Sequence, residues 1–385
     1  MPSFQNSFQS KLPKIPTSIF AIMSGLATKE NALNLSQGFP NFESDSKLIE
    51  MVNVAMKNGK NQYAPMPGIF SLRKIIAEKM ESLYGVSYNP DTEITITAGA
   101  TQAIFTTIAA TVKKDDEVLI FKPAYDCYEP TIALFGGKTI AVQLNPEDFK
   151  IDWKEVKKLI NNKTRMIIIN SPHNPSGRVL SKNDMLQLEA LLKNTNILLL
   201  SDEVYEHIIF DGEKHQSAAL FPALAERTFI MASFGKTFHN TGWKMGYCIA
   251  PAELTKEFRK VHQFNVFSVN HPTQVALAEY LKTPSNYLEL GKFYQEKRDL
   301  FLSLIKGSRF EFTPSKGTYF QLLNFKKITI ESDVDFAIRL TKEQKIAGIP
   351  ISVFNENNYD TKVLRFCFAK TNETLKKAAE ILCNI

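Results

Sequence analysis

Residues Met166-Ile167-Ile168-Ile169-Asn170-Ser171-Pro172-His173-Asn174-Pro175-Ser176-Gly177 decide the fold. Four apolar positions in a row leave neither face of a strand free to meet water, and polarity then begins abruptly at Asn170. The pattern recurs downstream. Ile197-Leu198-Leu199-Leu200 runs into Ser201-Asp202-Glu203-Val204-Tyr205, and Thr228–Ala232 runs into Ser233-Phe234-Gly235-Lys236-Thr237. Strands apolar on both faces belong in the middle of a mostly parallel sheet with helices on each side, so the expected fold is α/β of the doubly wound kind.

Working outward, Leu48, Met51, Val52, Ala55 and Met56 fall at helical spacing and stop at Gly59. Leu72, Ile75, Ile76, Met80 and Leu83 do the same and stop at Gly85. Strands are expected over Glu93–Ala98, Glu117–Phe121, Thr139–Leu144 and Met245–Ala250, with helices over Trp153–Ile160 and Lys182–Leu192. Gly99-Ala100-Thr101-Gln102 turns the first of these strands into a helix through Val112. After Asn286 the pattern changes to α+β. A helix over about Tyr287–Ser303 precedes short strands around Gly317–Leu323 and Val363–Phe368, with a helix near Val334–Glu343. The expected division is a large domain over 45–285 and a small domain built from 1–44 and 286–385.

A length of 385 residues suits two or three domains at roughly 150 residues each. The net charge of +6, from 46 basic and 40 acidic residues, is too mild for a nucleic-acid surface. Cys127, Cys248, Cys367 and Cys383 are scattered without a C-x-x-C pair, which reads as a reduced, cytoplasmic protein. Met1 to Lys14 is polar and shows no signal peptide, and no apolar run approaches the ~20 residues of a membrane span. The Gly99-Ala100-Thr101 turn is not a P-loop, because no G-K-[ST] follows it; no G-x-G-x-x-G, H-E-x-x-H or G-x-S-x-G is present, and the six histidines show no metal spacing. Nucleotide, metal and serine-hydrolase chemistry therefore lose their main support.

In an open α/β sheet, ligands bind beyond the carboxyl ends of the strands. Taken singly, Asn174-Pro175 is a turn, Asp202 a helix cap and Lys236 a surface lysine. Together they set an amide, a carboxylate, a phenol, a hydroxyl and an amine on one rim. The small residues of Gly99-Ala100-Thr101 open a helix whose N-terminus can seat an anion. A phosphate seat, a lysine and a carboxylate suit pyridoxal 5′-phosphate. The amine condenses with its aldehyde, and the carboxylate keeps its ring nitrogen protonated so that the ring accepts electrons.

Ser233-Phe-Gly-Lys236-Thr-Phe-His-Asn-Thr-Gly-Trp-Lys244-Met-Gly-Tyr247 resembles the lysine signature of class I/II aminotransferases, pyridoxal-phosphate enzymes of fold type I. Asn170-Ser-Pro-His-Asn174-Pro-Ser-Gly and Asp202-Glu-Val-Tyr205-Glu-His resemble the family's other cofactor motifs. The match runs in order from Leu35-Ser-Gln-Gly38 to Leu364-Arg365-Phe-Cys-Phe. Gln37-Gly-Phe-Pro, Asn61-Gln-Tyr63-Ala-Pro-Met, Ala124-Tyr125-Asp126-Cys127-Tyr128 and Val261-His-Gln-Phe-Asn-Val-Phe-Ser268 are similar to the kynurenine aminotransferase/glutamine transaminase K branch, above all its bacterial methionine aminotransferases.

The resemblance implies that Lys236 anchors the cofactor covalently and serves as the general base of a ping-pong cycle. Asp202 would face the ring nitrogen, and Asn174 and Tyr205 the ring oxygen. Ala100, Thr101, Ser233 and Lys244 would surround the phosphate, with Tyr125 stacked on the ring or, alternatively, a core tyrosine. Arg365 would pair with the substrate α-carboxylate through two parallel hydrogen bonds, helped by Asn174 and the Gly38 backbone. Tyr63, Phe267 and Ser268 would reach a neighbour's site across a homodimer interface. Phe20 is an aromatic lid or a plain core residue. With Phe39, Tyr63, Phe267 and Ser268 it would make a neutral pocket for methionine, glutamine-like and aromatic amino acids, with a 2-oxo acid as acceptor. The implied partners are small molecules, with no nucleic acid and no membrane. A cysteine-conjugate C–S β-lyase or a kynurenine/glutamine-preferring aminotransferase would use the same residues. A ligand-sensing regulator is disfavoured, because the roughly 30 residues before Leu35 are too few for a helix-turn-helix domain.

Overall fold

Seven strands form the central sheet in the computed structural model, which describes residues 9–385. They are β1 (Ile94–Thr97), β2 (Glu117–Lys122), β3 (Lys138–Gln143), β4 (Thr164–Asn170), β5 (Leu198–Asp202), β6 (Thr228–Ser233) and β7 (Gly246–Ile249). Their spatial order is β1-β7-β6-β5-β4-β2-β3. All pairings are parallel except those of β7, which runs antiparallel to both neighbours. Residues 1–8, which open both the polar Met1–Lys14 stretch and the 1–44 segment, lie outside the described residues.

The apolar runs are buried on both faces, as their composition requires. Met166 and Ile168 join a cluster with Ile104, Ile132 and Phe258 on one side. Ile167 and Ile169 join Trp153, Met185 and Leu188 on the other. Each such side chain contributes about 1.5–3 kcal/mol by leaving water. The order of strands reverses at β2–β4, which opens a crevice above their carboxyl ends.

Beyond residue 286, β8 (Phe320–Asn324), β9 (Ile349–Pro350) and β10 (Val363–Cys367) form an antiparallel sheet in the order β9-β10-β8. Helices Leu290–Leu304, Asp333–Glu343 and Asn372–Cys383 belong to this part of the chain. The N-terminal segment joins them. Helix Ile19–Lys29 packs on Asp333–Glu343, and Leu33–Asn34 pairs in parallel with Ile346–Ala347.

Two expected boundaries move by three residues. The helix expected over Tyr287–Ser303 is a short turn, Ser285–Leu288, followed by Leu290–Leu304. Glu289, at ψ −5° between them, departs from helical ψ, although it still donates to the Ser285 carbonyl and accepts from the Phe293 N–H. The strand expected from Gly317 starts only at Phe320. Thr318 is left-handed at φ 64°, and Gly317 bridges Ile209 instead.

Candidate active site

The carboxyl ends of β1, β4, β5 and β6 enclose a cavity of about 330 Å³, closed over by residues from the N-terminal segment and from β8 and β10. Because β7 runs backwards, its beginning stands on this rim and brings Lys244 with it. Gly246 makes that approach possible: a Cβ there would lie 2.6 Å from the Ala232 carbonyl and 3.0 Å from the Ala100 nitrogen. Gly99, at φ 78°, turns β1 into helix Ala100–Thr111, whose free N–H groups open onto the cavity. The Thr101 and Tyr125 hydroxyls lie 3.2 Å apart beside it.

Asp202 ends β5 and is buried. Its Oδ2 accepts a 2.5 Å hydrogen bond from Tyr128. Burial pushes its pKa up to about 6, against the pull of that bond. Asn170 spans two loops: its Nδ2 donates to the Asp202 carbonyl at 2.8 Å, and its Oδ1 accepts from the Asn174 N–H at 2.8 Å. The rim residues at the ends of β4 and β5 thus hold one another.

Lys236 lies in the short helix Phe234–Thr237, capped by Ser233. Its Nζ donates to the Gly38 carbonyl at 3.2 Å. Burial lowers its pKa to about 8, with the cations Arg365 and Lys244 acting the same way.

Arg365, at the centre of β10, is 1% exposed. It donates to Asn174 Oδ1 at 2.7 Å and to the Ser36 carbonyl at 2.9 Å, while Nε has no partner. Its guanidinium lies 3.8 Å above the Phe320 ring and 5.1 Å from that of Phe20. Among the described residues, none of Lys236, Lys244 and Arg365 makes an ion pair with a carboxylate. Three cations thus face one cavity carboxylate, Asp202. Such an excess, with an orphaned guanidinium N–H, suits a ligand set carrying a phosphate and a carboxylate.

Of the residues singled out from sequence, Phe20, Gly38, Phe39, Ala100, Thr101, Tyr125, Asn174, Asp202, Tyr205, Ser233, Lys236, Lys244 and Arg365 all line the cavity. Tyr63, Phe267 and Ser268 do not. Tyr63 and Phe267 pack edge to face at 5.3 Å on the surface, with Tyr63 80% exposed, and Ser268 donates to the Ala64 carbonyl. Roles for Tyr128, Asn170, Tyr319 and Phe320 escaped the sequence reading. Asn170 carried a signal, as the first polar residue after an apolar run. The others carried none, since their partners are distant in the chain.

Fold and site together define an aminotransferase of fold type I. The model of the "Aminotransferase class I and II" family matches residues 30–382, and the chain belongs to that family. It is 47% identical to methionine aminotransferase of Escherichia coli over 375 residues, 97% of each chain. It is 33% identical to a kynurenine–oxoglutarate transaminase of Dictyostelium discoideum over 408 residues, spanning 96% of this chain and 94% of that one. An E. coli crystal structure, whose reactivity identified a methionine aminotransferase function, superposes with a TM-score of 0.96 at 46% identity. It covers 99% of this chain and all of that one. The family and the fold agree with the expectation from sequence.

Proposed function

We propose that the protein moves the amino group of methionine and other neutral or aromatic L-amino acids to a 2-oxo acid, with pyridoxal 5′-phosphate as cofactor, as a cytoplasmic homodimer. The observation that carries the substrate class is the surroundings of Arg365. Among the described residues it is the only arginine lining the cavity, and Phe20 and Phe320 flank it. One guanidinium matches one α-carboxylate, while a second substrate carboxylate would meet aromatic rings.

In this reading Lys236 anchors the cofactor, Asp202 faces its ring nitrogen, Asn174 and Tyr205 its ring oxygen, and Tyr125 its ring. The N-terminus of helix Ala100–Thr111, with Thr101, Ser233 and Lys244, takes the phosphate. The cofactor supplies an electron sink for the charge left at the substrate Cα. Arg365 and Asn174 orient the amino acid by its carboxylate, with Gly38 beside them and Phe39 at the pocket edge. Lys236 Nζ, at a pKa of about 8, is partly neutral near physiological pH, so it can take a proton from Cα and hand it back. Asp202 is buried at the cavity floor and held by the Tyr128 hydroxyl. Tyr63, Phe267 and Ser268 enter only in the homodimer, where they would reach the neighbouring cavity. The division into 45–285 and 1–44 with 286–385 belongs to this reading, supported by the packing of Ile19–Lys29 on Asp333–Glu343.

A panel of amino donors and 2-oxo acid acceptors, read by 2-oxo acid formation with the purified protein, tests the proposal. Strong use of aspartate with little methionine or aromatic turnover would overturn the pocket reading. Release of ammonia, pyruvate and a thiol from a cysteine conjugate without an acceptor would make it a C–S lyase.

A further inference from the structure

The Gly38 carbonyl carries two donors. One is Lys236 Nζ at 3.2 Å, and the other is the hydroxyl of Tyr319 at 2.6 Å, from 281 residues away. Tyr319 is fully buried, with its ring packed edge to face on Tyr205 at 5.2 Å and on Phe320 at 4.9 Å. Lys236 Nζ stands 5.6 Å from the Tyr319 ring centre, so one residue supports both the amine and its acceptor. The Gly38 loop is seated tightly against it: a Cβ at Gly38 would lie 2.6 Å from Phe320 and 3.3 Å from Tyr319. The segment bearing Tyr319 is itself pinned, since Thr318 donates its N–H to the Ile208 carbonyl at 2.9 Å.

We propose that Tyr319 is a positioning residue for Lys236: its hydroxyl holds the Gly38 carbonyl as the resting acceptor of the amine and, by sharing that acceptor, weakens its grip on the charged form. A carbonyl accepting two hydrogen bonds is a poorer partner for an ammonium than one accepting a single bond. The arrangement therefore favours the neutral amine that proton transfer needs. The inference takes Lys236 as the reactive amine of the proposed function.

The test is competitive acylation of Lys236 across pH in the full-length chain stripped of cofactor, read by mass spectrometry of the Lys236 peptide. Tyr319→Phe keeps the ring and removes the donor. The apparent pKa of the amine is expected to rise by about half a unit, making acylation about threefold slower at neutral pH. Tyr319→4-aminophenylalanine, a weaker donor, should fall between the two, and it keeps the test open if the phenylalanine variant does not fold. An unchanged or lowered pKa in the folded variants overturns the proposal. Because the readout is independent of turnover, the expected shift in Tyr319→Phe beside a wild-type protein that fails to transaminate would sink the functional reading alone.

Discussion

The phenol of Tyr128 donates to Asp202 Oδ2 at 2.5 Å, tying the helix after β2 to the carboxyl end of β5 across 74 residues. The bond stabilises the ionised carboxylate, yet burial outweighs it and the pKa stands at about 6, above the ordinary 3.8. Between those values the folded protein binds one proton more than the unfolded chain. Stability from this group is therefore present at low pH and is lost as pH rises through 6.

Asp202→Asn should accordingly make the cofactor-free protein more stable above pH 6, by up to about 3 kcal/mol, with the gap closing near pH 4. Urea midpoints of both proteins at pH 4 and pH 8 check this; a gap that does not depend on pH would count against a buried, proton-holding carboxyl. With cofactor bound the order should reverse, because only the carboxylate can pair with a protonated ring nitrogen.

Removing the amine should abolish proton transfer but leave the phosphate seat intact. Lys236→Ala is expected to lose about 10³-fold or more in turnover while still retaining cofactor non-covalently. Single-turnover formation of 2-oxo acid, together with a cofactor-retention assay, measures both. Normal turnover would end the assignment of Lys236.

Arg365→Lys keeps the charge and loses the planar fork that reaches both Asn174 and the Ser36 carbonyl. The KM for methionine should rise about 10- to 100-fold, roughly 1.4–2.7 kcal/mol, with a smaller change in kcat. Steady-state kinetics over a range of donor concentrations decide it, and an unaltered KM would remove Arg365 from carboxylate binding.

The exposed pair Tyr63 and Phe267 supplies the test of assembly. Phe267→Asp should weaken a homodimer about tenfold or more by burying a charge at the interface, and turnover should fall with it. Sedimentation velocity reports the shift; unchanged sedimentation with full turnover would refute a shared site.

Much of this was legible from local pattern. Met166–Ile169 and Ile197–Leu200 announce doubly covered strands, and the polar residues that end them, Asn170, Asp202 and Ser233, do stand on one rim. Arg365 and Gly38 were legible only by resemblance, since nothing in their neighbourhoods marks them as site residues. Tyr319 was not legible at all: a tyrosine inside an expected strand reads as core until the carbonyl it meets is known.

The chain's own order therefore determined the strand-and-helix alternation, the burial of the central strands and the chemistry of the rim. These follow from side-chain periodicity over a few residues. Tertiary structure alone decided that β7 runs backwards, so that its beginning places Lys244 on the rim. It also decided that Tyr128 meets Asp202, Asn174 meets Arg365 and Tyr319 meets Gly38, across 74, 191 and 281 residues. Such pairs depend on strand order and on how the N-terminal segment closes over the sheet. Both are set by burial summed over the whole molecule, which no local stretch encodes.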